Sequence, residues 1–387
     1  MKDMIGTTIG LIRCELCESS REALDDVSLS FDLYSSVYKL TKAHDLAHVV
    51  GSALQKAGAE LPAELEEKFI KQQTIAAYRY MKIEYDLGQI CDAFERARIM
   101  HMPLKGSVIR KYYPSPEMRT SCDIDILVRE EELERAVSVL RDELHYEIGR
   151  KDTHDVSVFS TSGIHIELHF SLIEDDERVD ALLADIWSHS YLDGNSKYRY
   201  LMNNEYFVFY CIAHMAKHFL NGGCGIRPFM DLWIAENRMG FSREAVDALL
   251  DKCGLKQFGD QAFTLCGIWF SDGQHTPLTQ KMENYIVRGG VYGTVEHKVA
   301  ISQTQQSGGK LRYMMRRVFL PYASLKLYYN RLEKYPVLYP FYQVKRWCRI
   351  LFSKDSKRAM RELQYSATVS DDEKQRLVSL CKELEIL

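Results

Sequence analysis

In the run SCDIDILV, Asp123 and Asp125 stand two residues apart, alternating with Ile124, Ile126 and Val128. That is the period of a β-strand, so both carboxylates share one face and the aliphatic set takes the other. Side by side, two carboxylates repel each other, and a divalent cation removes that cost; hard ions such as Mg²⁺ prefer oxygen ligands. The run GIHIELHF repeats the pattern, with Ile164, Ile166, Leu168 and Phe170 on one face and His165, Glu167 and His169 on the other. If the two strands are neighbours, Glu167 completes a three-carboxylate cluster. Such a cluster can hold two metal ions about 3.5–4 Å apart, as in-line phosphoryl or nucleotidyl transfer requires. The bland alternative is a row of solvated edge carboxylates. The context of the pair favours chemistry, because Ser107 of LKGS precedes Asp123 by sixteen positions. A Gly-Ser turn between a strand and a helix offers backbone N–H groups and a hydroxyl to polyphosphate oxygens.

A second constellation lies in HMAKHFLNGGCGIRPFMDLW. His214 and His218 are four apart and share a helix face, with Lys217 beside them and Arg227 and Asp231 beyond the Gly222-Gly223 turn. Three readings stand: a cationic, hydrogen-bonding wall facing a nucleotide or acceptor; a zinc site on the two histidines, for which no third ligand is apparent; or a structural helix pair in which Arg227 and Asp231 bond each other.

These groups need elements to position them. Helical spacing runs through 28–100, with a stop and a new start at 58–62 (GAELP), and the carboxylates Glu64, Glu66 and Glu67 suit a first turn. Strand-like alternation at 123–128 is followed by a helix over 130–144. Two strands, 156–159 and 164–170, then flank a Thr161-Ser162-Gly163 turn. From Glu205 the pattern is helical almost to the end, and 302–310 (SQTQQSGGK) reads as a mobile loop. The expected organisation is a helical region over 1–100, an α/β core over 101–200 and a helical half over 201–387, in an α+β fold with a small mixed sheet.

The composition excludes extremes. Of 387 residues, 46% are hydrophobic and 27% charged, which fits neither a rod nor a wholly disordered chain. The N-terminus lacks the features of a secretory signal, the most apolar run (206–213) is too short to span a membrane, and ten cysteines do not make a disulfide scaffold. Cys14 and Cys17 form one C-x-x-C with no second pair, short of a zinc ribbon. The expected location is cytoplasmic. The net charge of −4 hides an asymmetry: 310–361 holds 14 basic and two acidic residues, so it carries +12 and leaves −16 elsewhere. Tyrosines interleave with those cations. Nucleic acid, an anionic membrane surface, or simple pairing with the acidic remainder would each account for the segment.

The run PLKGSVIRKYYPSPEMRTSCDIDILV resembles the active-site region of the polymerase-β-like nucleotidyltransferase superfamily. It is most similar to a bacterial branch of uncharacterised nucleotidyltransferases, with a Leu-Lys-Gly turn, a Tyr-Pro…Arg segment, an Asp-x-Asp strand and a later strand ending in His. The likeness extends to the helical N-terminal part and to the His/Lys/His…Arg…Asp region, over residues 40 to 350. It implies a polymerase-β-like core with helical flanks, and transfer of a nucleoside monophosphate from a nucleoside triphosphate, ATP among the options, to an unknown hydroxyl or phosphate acceptor. Two Mg²⁺ or Mn²⁺ ions would sit on Asp123, Asp125 and Glu167. Gly106 and Ser107 would hold the β/γ phosphates, Lys105 would neutralise them, Arg119 would meet a phosphate, and Glu167 would help activate the acceptor. His169, His214, Lys217, His218, Arg227 and Asp231 would wall the site. Two features depart from the wider pattern: Glu167 replaces the commoner Asp, and the Ser107–Asp123 spacing is long, filled by the turn at Tyr112, Tyr113 and Pro114. A non-catalytic protein that binds nucleotide or polyanion on the same fold is the alternative.

Overall fold

The computed structural model describes residues 2–18, 31–291, 331–352 and 370–387, with short runs between 293 and 329. The 302–310 stretch lies outside the described residues, as does part of 310–361. Four helices open the chain: α1 (Lys2–Leu16), α2 (Phe31–Ala43), α3 (Ala47–Lys56) and α4 (Ala63–Ala97). The break between α3 and α4 falls at the GAELP stretch, and Glu64 and Glu66 stand in the first turn of α4. Phe69, Ala76, Ile83 and Ile90 recur every seven residues on α4, and all four are buried. The helix thus offers one continuous apolar stripe to the rest of the molecule. It ends at Arg98, which takes a left-handed conformation and turns the chain into the sheet.

The fold is α+β. Strands β1 (His101–Pro103), β2 (Asp123–Val128), β3 (Glu147–Lys151), β4 (Asp155–Phe159) and β5 (His165–His169) form a mixed sheet in the order β1-β2-β5-β4-β3. Only β2 and β5 run parallel. Between the first two strands lies α5 (Gly106–Ile109); α6 (Leu133–Asp142) follows β2. The β1 and β3 edge strands add to what the alternation predicts, because three residues, or five mostly exposed ones, carry too little pattern to read.

Two apolar cores meet at this sheet. Ile124, Ile126, Val128, Ile166 and Leu168 pack with Ile83, Ile90 and Phe94 of α4 and Leu133 and Leu140 of α6. The opposite face belongs to a larger core that holds α1–α3, Met102 and Leu127, and the helices after the sheet. Those are α7 (Glu177–Leu183), α8 (Asn204–Leu220), α9 (Arg227–Ile234), α10 (Arg243–Cys253), α11 (Lys256–Phe270) and α12 (Pro277–Gly289). Between α7 and α8 a short hairpin, β6 (Ser190–Leu192) with β7 (Tyr200–Met202), adds a second sheet. The Asn203 side chain caps α8 by accepting from the Tyr206 N–H. That helix buries Phe207 to Tyr210, Ile212, Met215 and Phe219 and so runs through the interior. No helix among the described residues is long and apolar enough to cross a membrane.

Candidate active site

Parallel pairing of β2 with β5 places Asp123 opposite His165, Asp125 opposite Glu167 and Leu127 opposite His169. Paired residues on neighbouring strands share a face, so both aspartates, Glu167 and His169 look away from the α4 core into one cavity. That cavity measures about 420 Å³. Every residue named above as a metal, nucleotide or wall candidate lines it.

The chemistry concentrates on Asp125. The Lys105 ammonium donates to its Oδ1 at 3.0 Å, and the His169 Nε2 approaches the same oxygen at 3.1 Å. His169 Nε2 is also 3.5 Å from the Glu167 carboxylate. Lys105 stands at the head of α5 with φ 43°, a left-handed conformation that a non-glycine residue adopts only when its surroundings hold it there. The buried ion pair with Asp125 supplies one such hold. Two of the turn's amides are already spent, since Ser107 N donates to the Leu104 carbonyl and Val108 N to that of Lys105, both at 3.0 Å. What Ser107 keeps for a ligand is its hydroxyl.

Burial opposes charge at Asp125, but Lys105 and His169 overcome it and hold the carboxyl far below its ordinary value. For His169 burial again works against the charged form, yet the bonds to Asp125 and Glu167 push the imidazole up to about 9. Glu167 is lowered, mainly by its bond to His169. Asp123 goes the other way: burial and the negative charges of Asp125 and Glu167 raise it. The cluster therefore holds more carboxylate than its two cations neutralise, and the surplus falls on Asp123.

One ligand atom each from Asp125, Glu167 and His169 lie within 4.8 Å of one another, a buried group that could bind a metal ion. Asp123 is on the same face but outside that trio. Two carboxylates and an imidazole admit Mn²⁺ as readily as Mg²⁺, because nitrogen suits the softer ion. The surplus negative charge at Asp123 fits a cation at this position, and a cation that bound through His169 would first have to displace its proton.

The opposite wall comes from α8 and α9. His214 Nδ1 donates to both oxygens of Glu174 at 3.1 Å, and its Nε2 lies 2.9 Å from His218 Nε2. The Glu174 bond assigns the His214 proton to Nδ1, so Nε2 accepts from His218. Burial and the Lys105 charge keep His214 below its usual value. Lys217 donates to the Ile173 carbonyl and pairs with Asp175 at 3.2 Å. On α9, Asp231 bonds Arg119 rather than its helix neighbour Arg227. The Arg119 Nε meets the two Asp231 oxygens at 2.6 and 2.9 Å, and the Tyr113 hydroxyl donates to Oδ1 at 2.6 Å. Arg227 instead reaches the Thr120 carbonyl at 2.9 Å and Asp45 at 3.4 Å. The i, i+4 rule gives way here because the segment before β2 brings a buried donor, Arg119, to Asp231 and a carbonyl acceptor, that of Thr120, to Arg227. The turn at Gly222 and Gly223, with φ near 124° and 127°, lets the chain pass close to 293–294 before entering α9.

Glu174, Tyr113 and Asp45 are site residues that sequence pattern does not reveal. Glu174 lies in an acidic run, IEDDE, that reads as solvated surface, and Asp45 lies in a helix–helix turn. Their partners come from distant parts of the chain, so no local period marks them.

Comparisons with curated proteins and with solved structures give no match. A family described as uncharacterised nucleotidyltransferase matches residues 34–271, a span that begins in α2, contains the whole five-stranded sheet and ends just after α11. The match covers more than half of the chain and takes in Lys105, Asp123, Asp125, Glu167 and the α8–α9 wall, so the chain belongs to this uncharacterised nucleotidyltransferase family.

Proposed function

We propose that the protein transfers a nucleoside monophosphate from a nucleoside triphosphate to a hydroxyl or phosphate group of an acceptor. The observation that carries this reading is the convergence of Asp125, Glu167 and His169 beneath the Lys105–Ser107 turn inside one cavity. Asp123, Asp125 and Glu167 would hold two Mg²⁺ or Mn²⁺ ions, with His169 beside them. Bound there, the metal supplies Lewis-acid stabilisation of the charge on the transferred phosphoryl group.

The chain's own residues do the rest. Lys105 exchanges its bond to Asp125 for a phosphate oxygen, which keeps the ammonium paired throughout. Gly106 and Ser107 bound the triphosphate at the turn. Arg119, already held by Asp231, which Tyr113 in turn fixes, presents its guanidinium without having to be ordered during the reaction. Glu167 holds the proton of the attacking hydroxyl. Lys217 and the His214–His218 pair face the acceptor side, and the α8 and α9 wall excludes bulk water.

The test uses the purified full chain, α-labelled ATP, CTP, GTP or UTP, Mg²⁺ or Mn²⁺, and acceptors that include the chain's own hydroxyl groups. Release of pyrophosphate with label on an acceptor is expected, and the Asp123→Asn, Asp125→Asn double variant must abolish it. Unchanged activity in that variant ends the proposal.

One observation favours a second reading, a protein that binds nucleotide without turning it over. Arg119, Lys217 and Arg227 line the cavity besides Lys105, so the cavity has its own cations for phosphate. Calorimetry separates the two readings: nucleotide binding that needs no metal and is accompanied by no turnover supports the second.

A further inference from the structure

The basic C-terminal segment presents a surface that the cavity does not use. Helix Tyr339–Phe352 turns Tyr342 and Gln343 inward, and Tyr342 joins Leu325 and Leu332 in a small core apart from the other two. Phe341, Val344 and Cys348 recur at helical spacing on the outer side, and all three are exposed. Lys345 and Arg349 run along the edge of that stripe and are exposed as well. The preceding turn continues the pattern with Tyr335, Val337 and Leu338. Val337 is 89% exposed, Phe341 61% and Val344 52%, values that apolar side chains adopt at the cost of ordering water. Arg331 and Lys334 stand at an open groove whose other walls are Tyr335, Leu338, Phe341 and Tyr342.

The cations here are not spent on the acidic body. Among the described residues, none of Arg331, Lys334, Lys345 and Arg349 has a carboxylate partner, while the nearby Glu333 pairs with Lys326. Lys334 lies over the Tyr335 ring at 5.7 Å, and Lys345 over Tyr342 at 5.8 Å.

We propose that this face docks the protein on an anionic lipid bilayer, with Val337, Phe341 and Val344 entering the headgroup boundary and the four cations meeting lipid phosphates. Helices that lie in the membrane interface combine these features: an apolar stripe, flanking Lys and Arg, and too little length to span. The charge of −16 on the rest of the chain is repelled by the same membrane, so the +12 segment is the part turned toward it. A polynucleotide would be held by cations and flat rings, and the aliphatic Val337 and Val344 offer it neither. This inference does not depend on the nucleotidyl-transfer reading.

Flotation of the full chain with vesicles of phosphatidylcholine, with and without phosphatidylserine, tests it. Binding is expected only with phosphatidylserine and should weaken in high salt. Val337→Ser with Phe341→Ser keeps every charge and replaces two exposed side chains, so circular dichroism should be unchanged while vesicle affinity falls by about tenfold or more. Lys334→Ala and Lys345→Ala should each cost about fivefold. Absence of binding to phosphatidylserine vesicles at low salt overturns the proposal. So does binding that survives the double serine variant, or a single-stranded oligonucleotide that binds more tightly than the vesicles and displaces the protein from them.

Discussion

Replacing Asp231 with alanine should be among the most destabilising single changes in the cavity wall. Asp231 and Arg119 are each 9% exposed, and Tyr113 only 4%. The carboxylate receives three bonds from these two partners, at 2.6, 2.6 and 2.9 Å. Alanine removes all three acceptors. It leaves a guanidinium buried with no counter-charge and a phenol buried with no acceptor. Breaking a buried ion pair from one side costs about 3–5 kcal/mol, and the orphaned hydroxyl adds about 1–3 kcal/mol. A loss of at least about 3 kcal/mol is therefore expected in urea unfolding of the full chain, read as a lower midpoint at unchanged slope. Replacing both charged partners reverses most of it: Asp231→Leu with Arg119→Met should lie within about 2 kcal/mol of the parent, because a buried pair exchanged for apolar groups of similar volume is close to neutral. Adding Tyr113→Phe removes the remaining orphan and should recover more. A cost below about 1 kcal/mol for Asp231→Ala, or no recovery from Arg119→Met in its background, would refute this reasoning. Either result would mean that water reaches Arg119 and that the clamp does not hold it for a phosphate.

Three further outcomes follow from the same structure. His44, His48 and His101 are buried, and burial lowers each of them despite a backbone hydrogen bond. The unfolded chain therefore takes up protons first as pH falls; their contribution is present above about pH 6.5 and is lost below it, at up to about 1.4 kcal/mol per pH unit for each. Urea midpoints measured from about pH 7 down to about pH 5 should decline, less steeply for His48→Asn, and a flat profile would contradict the assignment. Asp125→Asn removes the negative charge that Lys105 and His169 share, and Mn²⁺ affinity measured by electron paramagnetic resonance should fall by roughly 100-fold or more. Glu174→Gln removes the charged acceptor of His214, which should cost about 1.5–3 kcal/mol of stability and release the fixed tautomer, visible in the ¹⁵N shifts of the ring.

The elements that hold the carboxylates are legible in the sequence because their signals are local. Alternation over 123–128 and 164–170 marks β2 and β5 and already assigns the carboxylates and aliphatics to opposite faces, and the two cores divide along that line. Helix boundaries at 58–62 come from Gly and Pro chemistry within a few residues. The α+β class follows from the order of those elements. Strand length limits the rest: β1 has three residues, too few to show a period, yet its pairing with β2 brings Leu104 N onto the Asp125 carbonyl and delivers Lys105 to the carboxylates.

Partner choice is a different kind of information from period. From spacing alone, Asp231 and Arg227 satisfy every condition for an i, i+4 pair, and the site uses neither with the other. Asp231 meets an arginine 112 residues away, and Glu174 meets a histidine 40 residues away, because burial rewards whichever donor the tertiary fold delivers. A surface pair of the i, i+4 kind is worth about 0.3–0.5 kcal/mol, whereas a buried carboxylate left without its donors loses several times that. Burial therefore overrides spacing. Local rules indicate reliably which residue types line the cavity, and the cost of burying charge determines how they are joined. The same cost explains why the two cations nearest the metal candidates, Lys105 and His169, are both found on Asp125, the more buried of the two strand carboxylates, and why Asp123 keeps the uncompensated charge.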